Sequence, residues 1–433
     1  MKSKLFRTSP GLLLLLAMPA GLIAQAQGSK PASYTIIDVG TLGGRNSFAY
    51  SNNHAGFVTG GANTPGQNDL VAQTGFLWYG GQPINLGTLG GSACPGCSSQ
   101  GAAASANGSV AVLSETATSN GPNGEDFCEF GTHRQCLAAV WKNGTLTALP
   151  TLPGGNNSED FFANSQGEIV GVSEIGTDAG GDDTCATPYQ VRLFEATKWS
   201  PGGMPTPLPP LQGDTVSFAF MINDVGQVVG MSGLCSNVIL PPFVGPSAPH
   251  AVLWDPDGTP HDLGTPPGGA GVSNVANSIN NRGQVAMNSV MLDGTVHAFL
   301  WSDGASQDLG TFPQDSPVTV VPCCNNVNDR GQIVGFSFDT SFNQRALLWL
   351  GPGQAPIDLN TLVPADSPWY LLSPGGINDA GEIAANAVNL NTFELHAVVL
   401  TPIKGVGPAA RGATKPTALP ADLQKALFRR MRF

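Results

Sequence analysis

Few side chains in this sequence combine reactivity with a spacing that chemistry could use. Cys94-Pro-Gly-Cys97 has the two-residue gap of a redox dithiol, but no strand–helix–strand pattern surrounds it, so redox catalysis is not expected, and like the other six cysteines these two are disulfide candidates. Cys128 and Cys136 can close a short loop, and Cys185 and Cys235 can pair if their segments are neighbours. Adjacent Cys323-Cys324 are either a vicinal disulfide or inert. His250, His297 and His396 recur one per repeat instead of clustering, and His54, His133 and His261 have no companion at ligand spacing, so no metal site is expected. Asp178, Asp182 and Asp183 lie in the acidic stretch GTDAGGDDTC, which lacks the alternating Asp/Asn ligands of a calcium loop. With Arg134, Arg192 and Arg345 these aspartates are the candidate ligand-binding residues. Neither G-x-S-x-G nor H-E-x-x-H occurs, so no catalytic residue is assigned and no cofactor is expected.

What positions these groups is a repeat. The phrase MINDVGQVVGMS (221–232) returns as NVNDRGQIVGFS (326–337), SINNRGQVAMNS (278–289), GINDAGEIAANA (376–387) and FANSQGEIVGVS (162–173), with weaker copies at 50–60 and 105–114. Its shared glycines, from Gly56 to Gly381, fall 48 to 59 residues apart, which gives seven units. A second phrase follows the first: HAFLWSDGASQDLGTF (297–312) has relatives at 249–266, 344–362, 75–91 and 137–152.

Each unit reads as four short strands, a to d. Strand a precedes the Asn, GQVVG is strand b, HAFLW is strand c, and strand d ends in Asp-Leu-Gly. Asn and Asp of the a–b turn are expected to bond the turn backbone, with Gly where a positive φ is wanted. Four strands in about fifty residues is the size of a propeller blade. Strand d occurs first at Tyr34–Val39 with no strand c before it, and strand c occurs last at His396–Leu400 with no strand d after it. One orphan at each end predicts an all-β, seven-bladed propeller of four-stranded blades, the last blade completed by the N-terminal strand. The Trp of strand c, at Trp78, Trp141, Trp199, Trp254, Trp301 and Trp349, is expected between blades.

These phrases resemble the bacterial extracellular repeat proteins of the HAF family, whose His-Ala-Phe stands here as His297-Ala298-Phe299. The resemblance covers roughly residues 34–400. It implies the repeat and no activity, so it supplies no catalytic residues.

In such a propeller the a–b and c–d turns share one face, and the b–c and d–a connections share the other. The second face has long insertions at 115–137, 174–195 and 233–249, and all eight cysteines are expected in its connections. Elaborated loops on a rigid scaffold make it the expected working face.

Residues 1–26 read as a secretory signal: Lys2, Lys4 and Arg7, an apolar run, then Ala24-Gln25-Ala26. The protein is therefore expected to be secreted or periplasmic, where cysteines pair, and no transmembrane segment is expected. Residues 27–403, the propeller, carry nine bases and 30 acids, which argues against nucleic acid as a partner. Residues 404–433 carry seven bases and one acid: a Gly/Pro/Ala-rich linker, then Leu423, Leu427 and Met431 at four-residue intervals as in a short amphipathic helix. That tail is expected to fray, to dock on the acidic body, or to touch an anionic envelope surface. The sequence thus points to a binding module for an extracellular glycan or protein, with an extracellular hydrolase or lyase acting on polysaccharide as the alternative.

Overall fold

The computed structural model describes residues 32–67, 73–120, 124–185, 190–238, 246–313 and 315–403, with residues 419–421, 423, 424 and 427 of the tail. The expected signal segment 1–26, the linker 404–418 and the tail's end at 428–433 lie outside them. Among the described residues no helix is long and apolar enough to cross a membrane.

Seven four-stranded antiparallel sheets form the body. Their innermost strands, blades one to seven, are Ser47–Asn52, Ser99–Ala104, Ser158–Ala163, Val216–Ile222, Gly269–Ile279, Thr319–Val320 and Trp369–Ile377. In six sheets the strands follow sequence order from inside to outside. The seventh takes its outer strand from the other end of the chain: Ser33–Asp38 pairs antiparallel with Leu395–Ile403, placing Ile36 opposite Leu400. A side-chain pin reinforces this closure, with His396 Nδ1 lying 2.9 Å from Asp38 Oδ1. The same pin joins strands c and d in blades four and five, as His250–Asp262 at 3.2 Å and His297–Asp308 at 2.8 Å. That contact explains why the HAF and DLG phrases travel together.

The a–b turns do more than the sequence suggests. Asn223 Oδ1 accepts the Gln227 N–H of its own turn at 2.8 Å, while its Nδ2 donates to the Asn280 carbonyl of the next blade at 3.0 Å. Asn280 reaches Asn328 in the same way at 2.9 Å, Asn328 reaches Asn378 at 3.0 Å, and Asn378 reaches Asn53 at 3.1 Å. Ser105 stands where an Asn would link blade two to blade three. The next turn residue was expected to bond its own turn and instead bonds the preceding blade. Asp224 Oδ1 accepts the Ser165 N–H at 2.9 Å, Asp329 Oδ1 that of Asn281 at 2.8 Å, and Asp379 Oδ1 that of Asp329 at 2.7 Å. The reason is that the Asn oxygen already satisfies the turn donors, which frees the carboxylate to reach outward.

The tryptophans close the gaps between blades unevenly. Trp199, Trp254 and Trp349 are fully buried, and their indole N–H groups donate to the carbonyls of Pro150, Pro209 and Leu309 in the preceding blade at 2.7–2.8 Å. Trp78 bonds Gly81 within its own c–d turn at 3.0 Å, and Trp141 and Trp301 are only half-buried. Burying one indole between blades contributes several kcal/mol at ~25 cal/mol/Å², an upper bound.

All eight cysteines are paired: Cys94–Cys97, Cys128–Cys136, Cys185–Cys235 and Cys323–Cys324. The expected location fails for the last pair. Blade six's inner strand breaks after Val320 and resumes with a bridge between Val327 and Ile333, so Cys323 and Cys324 fall inside that strand instead of in a second-face connection. The misplacement arose because Pro322 and the two cysteines interrupt the ladder that the repeat phrase implies.

Candidate functional site

Most inner strands have a β-bulge three residues before the turn Asn, at Tyr50, Phe161, Phe220 and Asn277 among others. An extra residue in one strand is turned out of the ladder, and here it is turned toward the axis. Side chains of blades that are not neighbours therefore meet. The Tyr50 hydroxyl of blade one lies 3.5 Å from Cys323 Sγ of blade six, and Cys324 Sγ lies 3.1 Å from the Phe220 carbonyl of blade four. Phe161 and Phe220 pack at 5.5 Å between ring centroids. Gly375 occupies the bulge position of blade seven, where a Cβ would come 2.8 Å from the Ala49 carbonyl oxygen, so that strand can approach blade one closely only without a side chain. The channel is thus constricted at its waist.

The waist is also acidic. Burial, and then the nearby Glu159 and Asp160 carboxyls, push the Tyr50 phenol well above its ordinary range. Burial likewise drives both carboxyls far upward and favours their neutral forms. Asp160 is fully buried, with one oxygen near the Ala139 N–H at 3.4 Å and the other, Oδ1, without a hydrogen-bond partner.

Above the waist, on the tight-turn face, the mouth is a cavity of about 90 Å³ that opens to solvent. His54, Ser165, Asp224, Asn281, Asp329 and Asp379 form its rim, and Met221, Ile279 and Val327 lie beneath. The rim carboxylates are the same ones that tie blade to blade. Among the described residues no group of three or more His, Cys, Asp or Glu side chains could hold a metal ion.

The six residues singled out in the sequence do not share one place. Arg345 is a largely buried hub: it forks onto Asp315 at 2.9 and 3.2 Å, reaches Asp358 at 2.5 Å and covers the Phe312 ring at 4.8 Å. Asp183 fastens the blade-three insertion to blade four. Its Oδ1 accepts the Ser236 N–H at 2.9 Å and hydroxyl at 3.0 Å, and its other oxygen accepts the Thr215 hydroxyl, beside the Cys185–Cys235 bridge. Burial opposes ionisation there, but these hydrogen bonds outweigh it and hold the carboxyl below its ordinary range. Arg192 donates to the Gly154 carbonyl at 2.6 Å and lies 3.9 Å from exposed Asp178. Arg134 donates to the Ala117 carbonyl at 3.3 Å, and Asp182 is exposed. Only Arg192 and Asp178 are brought together, and none of the six borders the central cavity.

Sequence reasoning missed three glutamates that organise the elaborated face. Glu115 and Glu174 each follow a serine midway along strand b, Val110–Ser119 and Ile169–Asp178, and each carboxylate turns back onto the connection entering its blade. Glu115 Oε2 accepts the Ser98 N–H at 2.6 Å, and Glu174 Oε2 accepts the N–H groups of Asn156 at 3.1 Å and Asn157 at 2.8 Å. Glu125, from the blade-two insertion, joins Glu174. Asn157 Nδ2 donates to both Oε2 atoms, at 3.0 and 3.1 Å, while the Val191 N–H of the blade-three insertion reaches Glu125 Oε1 at 3.1 Å. Burial, and then the Glu174 charge, raise the Glu125 carboxyl to about 7, with Arg192 opposing. The recurring Ser-Glu at 114–115 and 173–174 was the available signal.

Across the same face from these insertions sits the described part of the tail. Leu419 and Leu427 are buried and Leu423 is half-buried, packed with Phe48, Tyr370, Leu372, Val388 and Leu395 of blades one and seven. The expected docking on the body is observed for these residues.

No family model and no curated protein matches this chain. Among solved structures it is similar to an oligogalacturonate lyase in complex with manganese, with 10% identity, 86% of this chain and 97% of that one covered, and a TM-score of 0.49. An acylaminoacyl peptidase of Pyrococcus horikoshii gives 9% identity over 79% of this chain, which spans only 49% of the peptidase, and a TM-score of 0.43. The Aleuria aurantia lectin gives 9% identity over 87% of this chain and 97% of the lectin, with a TM-score of 0.35. At these scores the propeller assignment rests on the chain's own sheet topology.

Proposed function

We propose that this protein is an exported β-propeller of the HAF-repeat kind that works as a binding module, recognising an extracellular glycan or protein through the face of its b–c and d–a connections. One observation carries the reading: the described residues of the insertions of blades two, three and four are tied to one another and to the scaffold. The Glu125–Asn157–Glu174 network joins the first two, and Asp183 with Cys185–Cys235 joins the third. Loops ordered before a ligand arrives lose less conformational entropy on binding. Asp178 and Asp182 are exposed on this surface, and the part-exposed Arg134 and Arg192 beside them keep donors beyond their single carbonyl contacts, which supplies polar groups of both signs for recognition. Four disulfides fit a secreted or periplasmic location.

An extracellular hydrolase or lyase is the second reading, and the buried Glu125–Glu174 pair is the feature in its favour. Against it, Glu174 already accepts from Asn156, Asn157 and Gln190, which leaves it poorly placed to meet a substrate. The test is a glycan and envelope-fraction binding screen on the mature protein, with turnover assayed on whatever is retained. Retention without turnover, lost on reversing the charges of Arg134 and Arg192, supports the binding reading. Turnover abolished by Glu125→Gln supports the enzyme.

A further inference from the structure

The seat beneath the tail has features of a site whose occupant can be exchanged. Its walls come from strands: Phe48 from the inner strand of blade one, and Tyr370, Leu372, Val388 and Leu395 from three strands of blade seven. It is therefore formed by the propeller whether or not the tail is present. The tail supplies leucines at four-residue spacing, Leu419, Leu423 and Leu427, as one face of a short helix would. Polar contacts centre on one acceptor in the blade-six b–c turn: Asn343 Oδ1 receives the Leu419 N–H at 3.1 Å and Gln424 Nε2 at 3.0 Å. Gln424 Nε2 also lies 3.3 Å from the Ser341 carbonyl.

Two facts argue that the tail is a replaceable occupant. The Tyr370 ring belongs to this cluster and its buried hydroxyl has no hydrogen-bond partner among the described residues, so the seated tail does not satisfy that donor, a state that costs stability. And residues 404–418, Gly-, Pro- and Ala-rich, tether the tail to the last strand at Ile403. A link of only fifteen residues keeps the tail near the seat at high effective concentration, so weak contacts suffice to keep it seated.

We propose that this seat is a docking site for a short amphipathic helical segment with apolar residues four apart, which the chain's own tail occupies as a tethered competitor. A partner with the same spacing and an acceptor opposite Tyr370 would displace it. This inference is independent of the ligand of the insertions, which lie over blades two to four.

The test uses a synthetic peptide of residues 417–433 as probe, with mature protein, protein ending at Lys404, and full-length protein carrying Leu419→Asp and Leu427→Asp. Calorimetry or fluorescence anisotropy should show saturable binding to the truncated form and to the double variant. Binding to the intact protein should be at least 10-fold weaker, because the tethered tail competes. A control peptide with both leucines replaced by serine keeps the charge and should bind at least 10-fold more weakly than the probe, which separates the seat from attraction to the acidic body. Equal binding to intact and truncated protein, no binding to either up to millimolar peptide, or equal binding of the serine peptide would each overturn the proposal. If the truncated chain does not fold, the full-length double variant decides the question alone.

Discussion

The two faces of the propeller are built from different kinds of sequence. On the tight-turn face one dipeptide recurs, and each copy bonds the next: Asn223 to Asn280 to Asn328 to Asn378 to Asn53. On the opposite face the c–d pin recurs in blades four, five and seven and the Ser-Glu turn-back in blades two and three, but the contacts that tie insertions together do not repeat. Disulfides, the Glu125–Glu174 pair and the tail seat each occur once, at different blades. The repeated turns make the ring, and the insertions set blades two, three and four apart from the rest of it.

That contrast breaks most sharply at closure. Deleting residues 27–40 removes the outer strand of blade seven and the Asp38–His396 pin, and exposes the edge of Leu395–Ile403. We expect the melting temperature to fall by more than 10 °C in a calorimetric scan, or no folded protein to be recovered. An unchanged melting temperature would mean that the N-terminal strand does not close the ring.

Arg345→Met should have the next largest effect. It strands Asp315 and Asp358 as buried, unpaired carboxylates, which costs roughly 3–5 kcal/mol. In blades four, five and seven a histidine holds the position of Arg345, so Arg345→His should recover part of the loss in chemical denaturation. Equal losses for both variants would show that the pin is not interchangeable.

On the elaborated face stability should depend on pH through Glu125. Its folded carboxyl titrates at about 7 against an ordinary 4.5, so the folded state holds the proton more tightly. That stabilisation is fully present below about 4.5 and is lost as pH rises through 7. Glu125→Gln should flatten the profile and leave the protein more stable than the parent at pH 8 in chemical denaturation. A parent profile that does not fall between pH 4.5 and 8 would place Glu125 outside any coupled pair.

The smallest effect belongs to the repeated face. Asn280→Ala removes one bond between blades and, within the turn, one donation to Gln284 and two acceptances, so it should cost about 2 kcal/mol in denaturation. Asn223→Ala and Asn328→Ala should cost about the same, because their environments repeat. A tenfold spread in unfolding constants among the three would contradict the equivalence of the turns.

How far sequence reading reached follows the same division. Period, strand order, the orphan strands and hence the closed ring were legible because each blade restates them. Cys128–Cys136 and Cys185–Cys235 were legible, since one closes a short loop and the other joins equivalent positions of adjacent blades, whereas Cys323-Cys324 was left open between a vicinal bridge and none. The interrupted inner strand at Pro322-Cys323-Cys324 was missed, because a local insertion overrides the pattern without altering the flanking phrases. Asp183 and Arg345 were singled out as charges in or beside loops, yet their partners Ser236, Thr215, Asp315 and Asp358 come from elsewhere in the chain and engage them structurally. Glu125 met Glu174 only through folding, since 49 residues separate them. The bulge that turns Tyr50, Phe161 and Phe220 toward the axis has no signature beyond its fixed distance from the turn Asn.

The central claim is that the repeated face is scaffold and the unrepeated face is where the protein binds. The most direct measurement is hydrogen exchange by mass spectrometry, with and without the glycan or envelope fraction retained in the screen. The account predicts added protection within residues 115–137, 174–195 and 233–249, and unchanged exchange in the a–b turns around Asn223, Asn280 and Asn328. Protection centred on those turns, with the insertions unaffected, would contradict it.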